Sequence, residues 1–529
     1  MDATMVKPAV SGMKAGMNKV RPFSFWVAST LPPLVMTLAT SSHAAEWKIT
    51  PTVSLTETYT DNVRLAPDST KQSAFISEVS PGVDFTAVGA RARMKVSYQM
   101  QNLYYTNGGD SVRTNHLLNA DGKTELLKDL FFLDGSASIT QQDQSAFGPI
   151  AGNSNLNLSA NRNEVKTYRA SPYFKHAFDN LASAELRYTR DSVTSNTGGL
   201  NNSTGDQVSL NVNSGTSFQK VKWGVHYDDQ KSEFKDAANS IESQTAGLDL
   251  SYYLSSRFAL TGSGGYEKNS YISLDGKKPE GSYWSAGFNW SPSERTNLAF
   301  STGRHFYGQT FSLTATERTR LTAWNLGYHE DITTTRQQFL VPGSVDTSIF
   351  LNQLWQTSVP DPVLRQQLID AFIRTNGLPT SLARPLNTFS NQVFLQKMLQ
   401  GSVAVTGARN TVMFSLYHNK RDAKSAPLGP VDPSNLNALG STKQIGANLV
   451  WNLVFSPRTS ANFSLGWDRA DALTSGERDN NKLFRAAISR DLQPKLKATL
   501  EYRHNQKTSN LGLNDFKENA LTLSLLLRF

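Results

Sequence analysis

The sequence predicts an all-β chain folded as a single large antiparallel transmembrane β-barrel of about 22 strands, bounded at roughly 18 and 24. Three observations carry that expectation. Apolar and polar residues alternate with period two along nearly the whole chain, short and long connections take turns, and the last segment is a strand that stops on an aromatic residue.

The alternation begins where Trp47, Ile49, Val53 and Leu55 exchange with Lys48, Thr50, Thr52 and Ser54. Ala92, Met94, Val96, Tyr98 and Met100 then exchange with Arg91, Arg93, Lys95, Ser97 and Gln99, which gives one apolar face and one basic or polar face. The same pattern recurs in Val221/Trp223/Val225/Tyr227, Ala246/Leu248/Leu250/Tyr252 and Trp284/Ala286/Phe288/Trp290. It returns late in the chain in Ile445/Ala447/Leu449/Trp451/Leu453 and Leu496/Ala498/Leu500/Tyr502.

Tight links stand at Asp179-Asn180, Ser255-Ser256, Ser291-Pro292-Ser293, Gly407 to Asn410, Ser456-Pro457-Arg458 and Leu492-Gln493-Pro494. Longer polar stretches lie between them: Gln141 to Arg162, Asp191 to Asp206, Asp228 to Glu242, Asp422 to Thr442 and Asn505 to Lys517. Short inner turns and long outer loops are the habit of outer-membrane barrels, and an even strand number puts both termini on the inner side.

In the closing segment Leu521, Leu523, Leu525, Leu527 and Phe529 share one face, with Thr522, Ser524 and Arg528 on the other. It resembles the C-terminal signal through which barrels are recognised by the outer-membrane assembly machinery. Pairing this strand with the one at Trp47 removes an edge that would otherwise be open to aggregation. Tyr59, Tyr104, Tyr105, Tyr188, Tyr253, Tyr266 and Trp290 fall near strand ends, where amphipathic rings form interfacial girdles.

Residues 1–44 read as a cleaved signal peptide, leaving 45–529 as the barrel. Lys14, Lys19 and Arg21 precede a mostly apolar run from Phe23 to Leu38, and Ser42-His43-Ala44 supplies small residues at the cut. Met13 and Met17 are alternative starts. Pro32-Pro33 interrupts a run already short of the roughly 20 residues that span a bilayer as a helix. The absence of cysteine suits passage through an oxidising periplasm and excludes a disulfide scaffold or a cysteine zinc site. The formal charge of +9 is not gathered into a dense basic cluster, so nucleic acid is not an expected partner.

One stretch departs from the pattern. Between Asp331 and Ser402 the alternation lapses, and a helical loop insert is expected near 340–400. Asp361-Pro362 has the form of a helix start and Gly377 of a stop, with Leu364, Leu368 and Phe372 on one stripe beside Ile369 and Ile373. Arg365, Asp370 and Arg374 bar it from lipid. A loop packed on the rim is the expected arrangement, and a plug in the lumen is the alternative.

Catalysis is not expected. Seven histidines of the mature chain, His116, His176, His226, His305, His329, His418 and His504, stand singly without metal-ligand spacing. Gly262 to Gly265 lies inside an alternating strand rather than at a phosphate-binding turn, and Asp228-Asp229 lacks the further carboxylates of a calcium loop. No cofactor or metal is expected. The polar parity repeatedly carries positive charge, at Arg91, Arg93, Lys95, Lys220, Lys222, Arg485, Lys495, Lys497 and Arg503, which nominates these residues as a basic lumen lining with a weak preference for anions.

Several runs carry a family resemblance. They are Glu57-Thr58-Tyr59-Thr60-Asp61-Asn62-Val63, Ser80-Pro81-Gly82-Val83, Pro172-Tyr173 with His176 and Phe178, Gly303-Arg304-His305-Phe306-Tyr307-Gly308, and Tyr328 to Arg336 with Glu330, Asp331, Thr333 and Arg336. On these the chain resembles the outer-membrane β-barrel proteins of PEP-CTERM/exosortase exopolysaccharide systems. The resemblance implies residence in the bacterial outer membrane and genomic company with polysaccharide synthesis and surface sorting; with the wide, polar lumen of a barrel near 22 strands, it leads to the expectation of a part in exopolysaccharide export or assembly, as a wide pore or as a non-conducting anchor for surface polymer. It also implies exopolysaccharide and periplasmic export components as partners beside the membrane lipid. It implies no catalytic residues.

Overall fold

Period-two alternation over 10 to 17 residues can satisfy the backbone only by pairing on both sides, and 22 strands do so in one closed ring. The computed structural model describes residues 46–529 except 108–110, 152–154, 197–201, 236–239, 428–439, residue 513 and most of 341–388. The expected signal peptide lies outside the described residues.

The strands are β1 (Glu46–Thr60), β2 (Ala74–Val88), β3 (Ala92–Tyr105), β4 (Val112–Leu127), β5 (Phe131–Asp143), β6 (Arg162–Phe178), β7 (Ala182–Ser195) and β8 (Ser203–Ser214). They continue as β9 (Val221–Phe234), β10 (Ile241–Ser255), β11 (Phe258–Asn269), β12 (Glu280–Ser293), β13 (Thr296–His305), β14 (Gly308–Arg318) and β15 (Thr322–Thr334). After α1 (Thr335–Leu340) come β16 (Val393–Thr406), β17 (Asn410–Ala423), β18 (Thr442–Ser456), β19 (Thr459–Ala472), β20 (Arg478–Gln493), β21 (Leu496–Ser509) and β22 (Phe516–Arg528).

Every strand pairs antiparallel with its chain neighbours, and β22 closes on β1 from Thr52↔Arg528 to Thr60↔Ala520. Phe529 adds a backbone bond, its N–H donating to the Pro51 carbonyl at 3.0 Å. Closure gives every strand a partner on both sides, the condition under which strands can cross lipid.

Parity is visible in burial. Trp324 is 50% exposed on β15 while its neighbour Ala323 is fully covered. Outer positions carry the exposed apolar residues, including Leu521, Leu523, Leu525 and Leu527 of the closing strand, and the exposed Phe529 follows directly after it. Inner positions carry hydroxyls that bond across strands, such as Thr58 with Thr522 at 2.9 Å, Ser138 with Thr167 at 2.7 Å, Ser263 with Ser285 at 2.7 Å and Ser489 with Thr499 at 2.9 Å.

Two expectations need correction. The long outer loops are shorter than the sequence suggests, because β5, β7, β9, β17 and β21 run on through Asp143, Ser195, Phe234, Ala423 and Ser509. Above the lipid band both faces meet polar surroundings, so the alternation fades before the hydrogen-bonded ladder does. Of the seven proposed girdle aromatics, Tyr105 and Tyr253 face the interior. Each directly follows an outward tyrosine, and successive side chains in a strand must point to opposite faces.

The ladder is interrupted at two seams. β4 and β5 pair only below Leu118↔Ile139, and β14 and β15 share six pairs, from Leu313↔Tyr328 to Arg318↔Ala323. One strand at each seam belongs to a hairpin, β5–β6 or β15–β16, that bears a long connection. Ile332 and Val393, at outer positions of β15 and β16, join a cluster with Phe234 and Ile241, at inner positions of β9 and β10. That contact requires the tip of β15–β16 to lie inside the ring.

Candidate functional site

The interior of the barrel is the candidate site, and it is occupied by the chain itself. The β5–β6 loop bends over the mouth onto the inner wall. Leu156 and Leu158 pack on Val63, Ile76, Leu103 and Tyr105, while Ala146 and Phe147 pack on Ala470 and Ala472. Its carbonyls are held by wall side chains: Asn505 Nδ2 donates to Ile150 at 2.9 Å and Lys507 Nζ to Gly148 at 2.5 Å. Arg503 donates to Glu518 at 2.7 Å, and Asn157 of the loop donates to the same carboxylate at 2.7 Å.

The connection from β15 to β16 crosses the lumen. Arg336 of α1 is buried against the far wall, where Nε donates to Ser203 Oγ at 2.8 Å and Nη2 donates to Asp191. Gly205 stands opposite Asp191 in the ladder, and a Cβ there would lie 2.5 Å from Arg336 Nη2. Only glycine leaves room for the guanidinium. Phe339 and Leu340 pack on Val165 and Val193, and Phe389 meets Phe339 edge-on at 5.2 Å. The Phe389 N–H donates to the Gln144 carbonyl at 2.8 Å, which ties the two incoming segments together.

Deeper still, Leu351 and Ile369 are fully buried with Ala323, Ala404, Met413 and Val450, and Trp355 lies against that cluster. Ala323 and Ala404 sit near the inner ends of β15 and β16, and Arg318, the last residue of β14, donates to Gln356 at 2.9 Å. From Thr334 down to Ala323 the strand covers about 36 Å at roughly 3.3 Å per residue, about 25 to 30 Å of depth once tilted. The connection thus traverses the thickness of the membrane inside the barrel.

This corrects the expectation of a rim loop. Nothing at the rim could bury Leu351 and Ile369, whereas the inner wall offers them small and apolar partners. Arg365 and Ile369 are helical and buried, and Arg365 Nε donates to Asn352 at 2.9 Å. Asp361, Pro362, Leu364, Leu368, Asp370, Phe372, Ile373, Arg374 and Gly377 of the expected helix lie outside the described residues. The insert also ends earlier than expected, since β16 starts at Val393.

Of the nine nominated basic residues, Arg93, Lys95, Lys222, Arg485, Lys497 and Arg503 occupy inner positions of their strands. Arg91, Lys220 and Lys495 stand in the short inner turns, where the parity rule no longer applies. Several interior cations are already compensated. Lys95 stands opposite Asp121, Lys222 lies 5.0 Å over the Tyr253 ring, and Arg503 is held by Glu518. Arg485 differs, because its buried Nε and Nη2 find no hydrogen-bond partner among the described residues and Glu501 acts on it through charge alone.

The motif residues gather at the top of the β14–β15 seam and on α1. Glu330 accepts from the Tyr328 hydroxyl and pairs with Lys397 at 3.2 Å, and the Thr333 hydroxyl donates to the Thr334 carbonyl at 3.4 Å. Asp331 lies near Tyr307 on the facing hairpin tip, where burial, together with Asp331, Glu267 and Glu330, pushes the Tyr307 hydroxyl well above its usual range.

Sequence reading missed a chain of side chains on the inner wall. His226 Nδ1 bonds Asp249 at 2.9 Å and His226 Nε2 bonds the Tyr283 hydroxyl at 2.9 Å. The Tyr283 ring stacks on His305 at 5.1 Å, and His305 is held by Glu267 at 3.0 Å. No sequence spacing foretells it, since the barrel brings together five strands. The relay ends on a buried phenol rather than a nucleophile, which suits bracing of the wall more than catalysis. Asp228 and Asp229 point to opposite faces: Asp228 accepts from the inward Gln207, while Asp229 lies beside the outward Tyr227.

A closed antiparallel barrel with an apolar exterior, a polar interior, short turns at one end and long loops at the other is a bacterial outer-membrane β-barrel protein. No family model matches the chain, and no curated protein does. Solved structures do. The siderophore receptor PirA from Pseudomonas aeruginosa is 10% identical, with 91% of this chain and 80% of that one covered and a TM-score of 0.45. The FrpB iron transporter from Neisseria meningitidis, F5-1 variant, is 12% identical over 90% and 82% at a TM-score of 0.48. A BenF-like porin from Pseudomonas fluorescens Pf-5 is 9% identical over 91% and 99% at 0.35. The likeness is one of barrel architecture and says nothing of cargo.

Proposed function

We propose that this protein is a gated outer-membrane conduit that takes part in the export or assembly of exopolysaccharide, with the β15–β16 connection as its gate. The observation that carries the reading is the occupied lumen. A 22-stranded barrel encloses more width than its own wall residues fill, and here a segment of the chain spans that width from mouth to base. The wall around it is lined by hydroxyls and amides with partly compensated charges, a surface suited to a hydrated sugar chain.

Polysaccharide as the cargo rests on the family resemblance of the Gly303–Gly308 and Tyr328–Arg336 runs. No catalytic role is assigned. A strain lacking the protein is expected to retain polymer in the periplasm and lose it from the surface, with recovery on complementation. Unchanged surface polymer refutes the reading. In planar bilayers the intact protein is expected to show low conductance, and replacement of 341–388 by a short polar link is expected to give a wide, steady pore.

The second reading, a non-conducting anchor for surface polymer, is favoured by the extent of the contacts that hold the lumen closed. It predicts that removing the insert leaves surface polymer intact.

A further inference from the structure

We propose that the seam between β14 and β15 is a lateral port, through which an amphiphile with a glycosyl head and an acyl chain passes between the lumen and the outer leaflet. Above Leu313↔Tyr328, residues Gly308–Ser312 remain paired to β13 and residues His329–Thr334 to β16, but the register between the two groups has ended. The break starts inside the apolar band, because Phe311, in the unpaired stretch of β14, is 40% exposed on the outer face. In lipid such a break persists only where protein covers it.

The cover here is made of side chains below a backbone strap, in which the β11–β12 loop bridges Ser273 to Ser425 and the Leu274 N–H donates to the Lys424 carbonyl at 2.9 Å. Phe306, Tyr271, Ile332 and Val393 belong to one apolar cluster beside the seam, and an apolar contact parts and re-forms without leaving buried donors unpaired. The tip of β15–β16 has slipped inside the ring, so below the strap this line of the wall has two margins joined by side chains rather than one continuous ladder.

The chemistry on either side of the seam identifies what would pass. Toward lipid the margin presents Phe311 and Leu313 of β14 and Tyr328 of β15, an apolar and aromatic set suited to an acyl chain, with Gln309 and the Glu330–Lys397 pair above them. Toward the lumen, Tyr283, His305 and Tyr307 stack in sequence at 5.1 Å spacings, and Glu267 and Asp331 stand beside them as acceptors. Aromatic rings with carboxylate acceptors suit a head rich in hydroxyl donors. The two runs that line the port, Gly303–Gly308 and Tyr328–Arg336, are the most distinctive of the sequence. Gly308 adopts φ 126°, a conformation open to glycine, and so allows the two-residue tip that keeps β13–β14 short.

The port is tested on the full-length protein in outer-membrane vesicles, with radiolabelled dodecyl maltoside as the probe. The chain has no cysteine, so Ser312→Cys with His329→Cys creates a single pair across the seam, to be joined by oxidation or a short bismaleimide. A photo-crosslinker at Phe311 reports the lipid side and one at Thr310 reports the lumen side. Labelling is expected at both positions with the seam free. Joining the cysteines is expected to abolish labelling at Thr310 alone, and reduction of the oxidised pair to restore it. Labelling at Thr310 that survives joining, or that never occurs with the seam free, overturns the port. Spin labels on Ser312 and His329 give a second measurement that needs no probe passage: a broad distribution of separations supports it, and one short distance typical of paired strands overturns it.

Discussion

Arg336 and Asp191, 145 residues apart in the chain, form a buried ion pair that fastens the segment leaving β15 to the opposite wall on β7. Both side chains are withdrawn from water, so each depends on the other for its charge. Removing one partner of such a pair costs about 3 to 5 kcal/mol. Arg336→Ala is therefore expected to release the gate while the barrel stays folded. The outcome is a rise in bilayer conductance with unchanged heat-modifiable migration. Gly205→Val is expected to do the same by displacing the guanidinium. A closed channel in both variants would mean that the pair bears no gating load.

The two faces of one strand respond oppositely to charge. Val96 is an outer position and Ser97 an inner one opposite Asp84. Val96→Arg is expected to destabilise by roughly 2 to 4 kcal/mol if near the bilayer midplane, whereas Ser97→Arg gains a carboxylate neighbour and is tolerated. Urea unfolding in lipid vesicles measures both. Equal effects would mean that this part of the sheet does not face lipid.

Closure rests on the last strand. Deleting Leu521–Phe529 strips β1 of its pairing from Thr52 to Tyr59, and Phe529→Asp places charge beside the Pro51 carbonyl. Loss of the heat-modifiable, protease-resistant form from outer membranes is the expected result for the deletion, with a slower appearance of that form for Phe529→Asp. An assembled truncated barrel would show that β1 finds another partner.

Selectivity separates the interior cations from one another. In a channel opened by removal of 341–388, Arg485→Gln is expected to lower anion preference in reversal-potential measurements, since its guanidinium is uncompensated by any hydrogen bond from Nε or Nη2. Arg91→Gln is expected to change little from its turn, and Lys95→Gln little because Asp121 stands across from it. Equal shifts from all three would make the field a property of net charge rather than of position.

Strand number, closure and the lipid face were legible because parity in a strand is fixed by backbone geometry, so Trp324 and Ala323 cannot share a side. The course of the β15–β16 connection was not, since helix signals say nothing about which end of a barrel a loop enters. A signal did exist. Ala323, Ala404, Met413 and Val450 are apolar residues in the polar parity of four successive strands, and together they mark a place where something packs inside. Ile76, Leu103 and Tyr105 mark the landing of the β5–β6 loop in the same way. The seam at Leu313↔Tyr328 left no trace, because it arises from where two hairpins lean and not from the residues of either strand.

Thr334 and Val393 are paired neighbours at the outer rim, so the segment that fills the barrel is hung by both ends from the same side. It is tethered at both ends. A load rising from within pushes this hanging loop back toward its own anchors, while a load from outside drives it deeper against the wall at Ala323 and Arg318. For the gate proposed above, this connectivity predicts the behaviour of a check valve with an outward sense, measured as rectification of conductance when the two sides of a bilayer are compared.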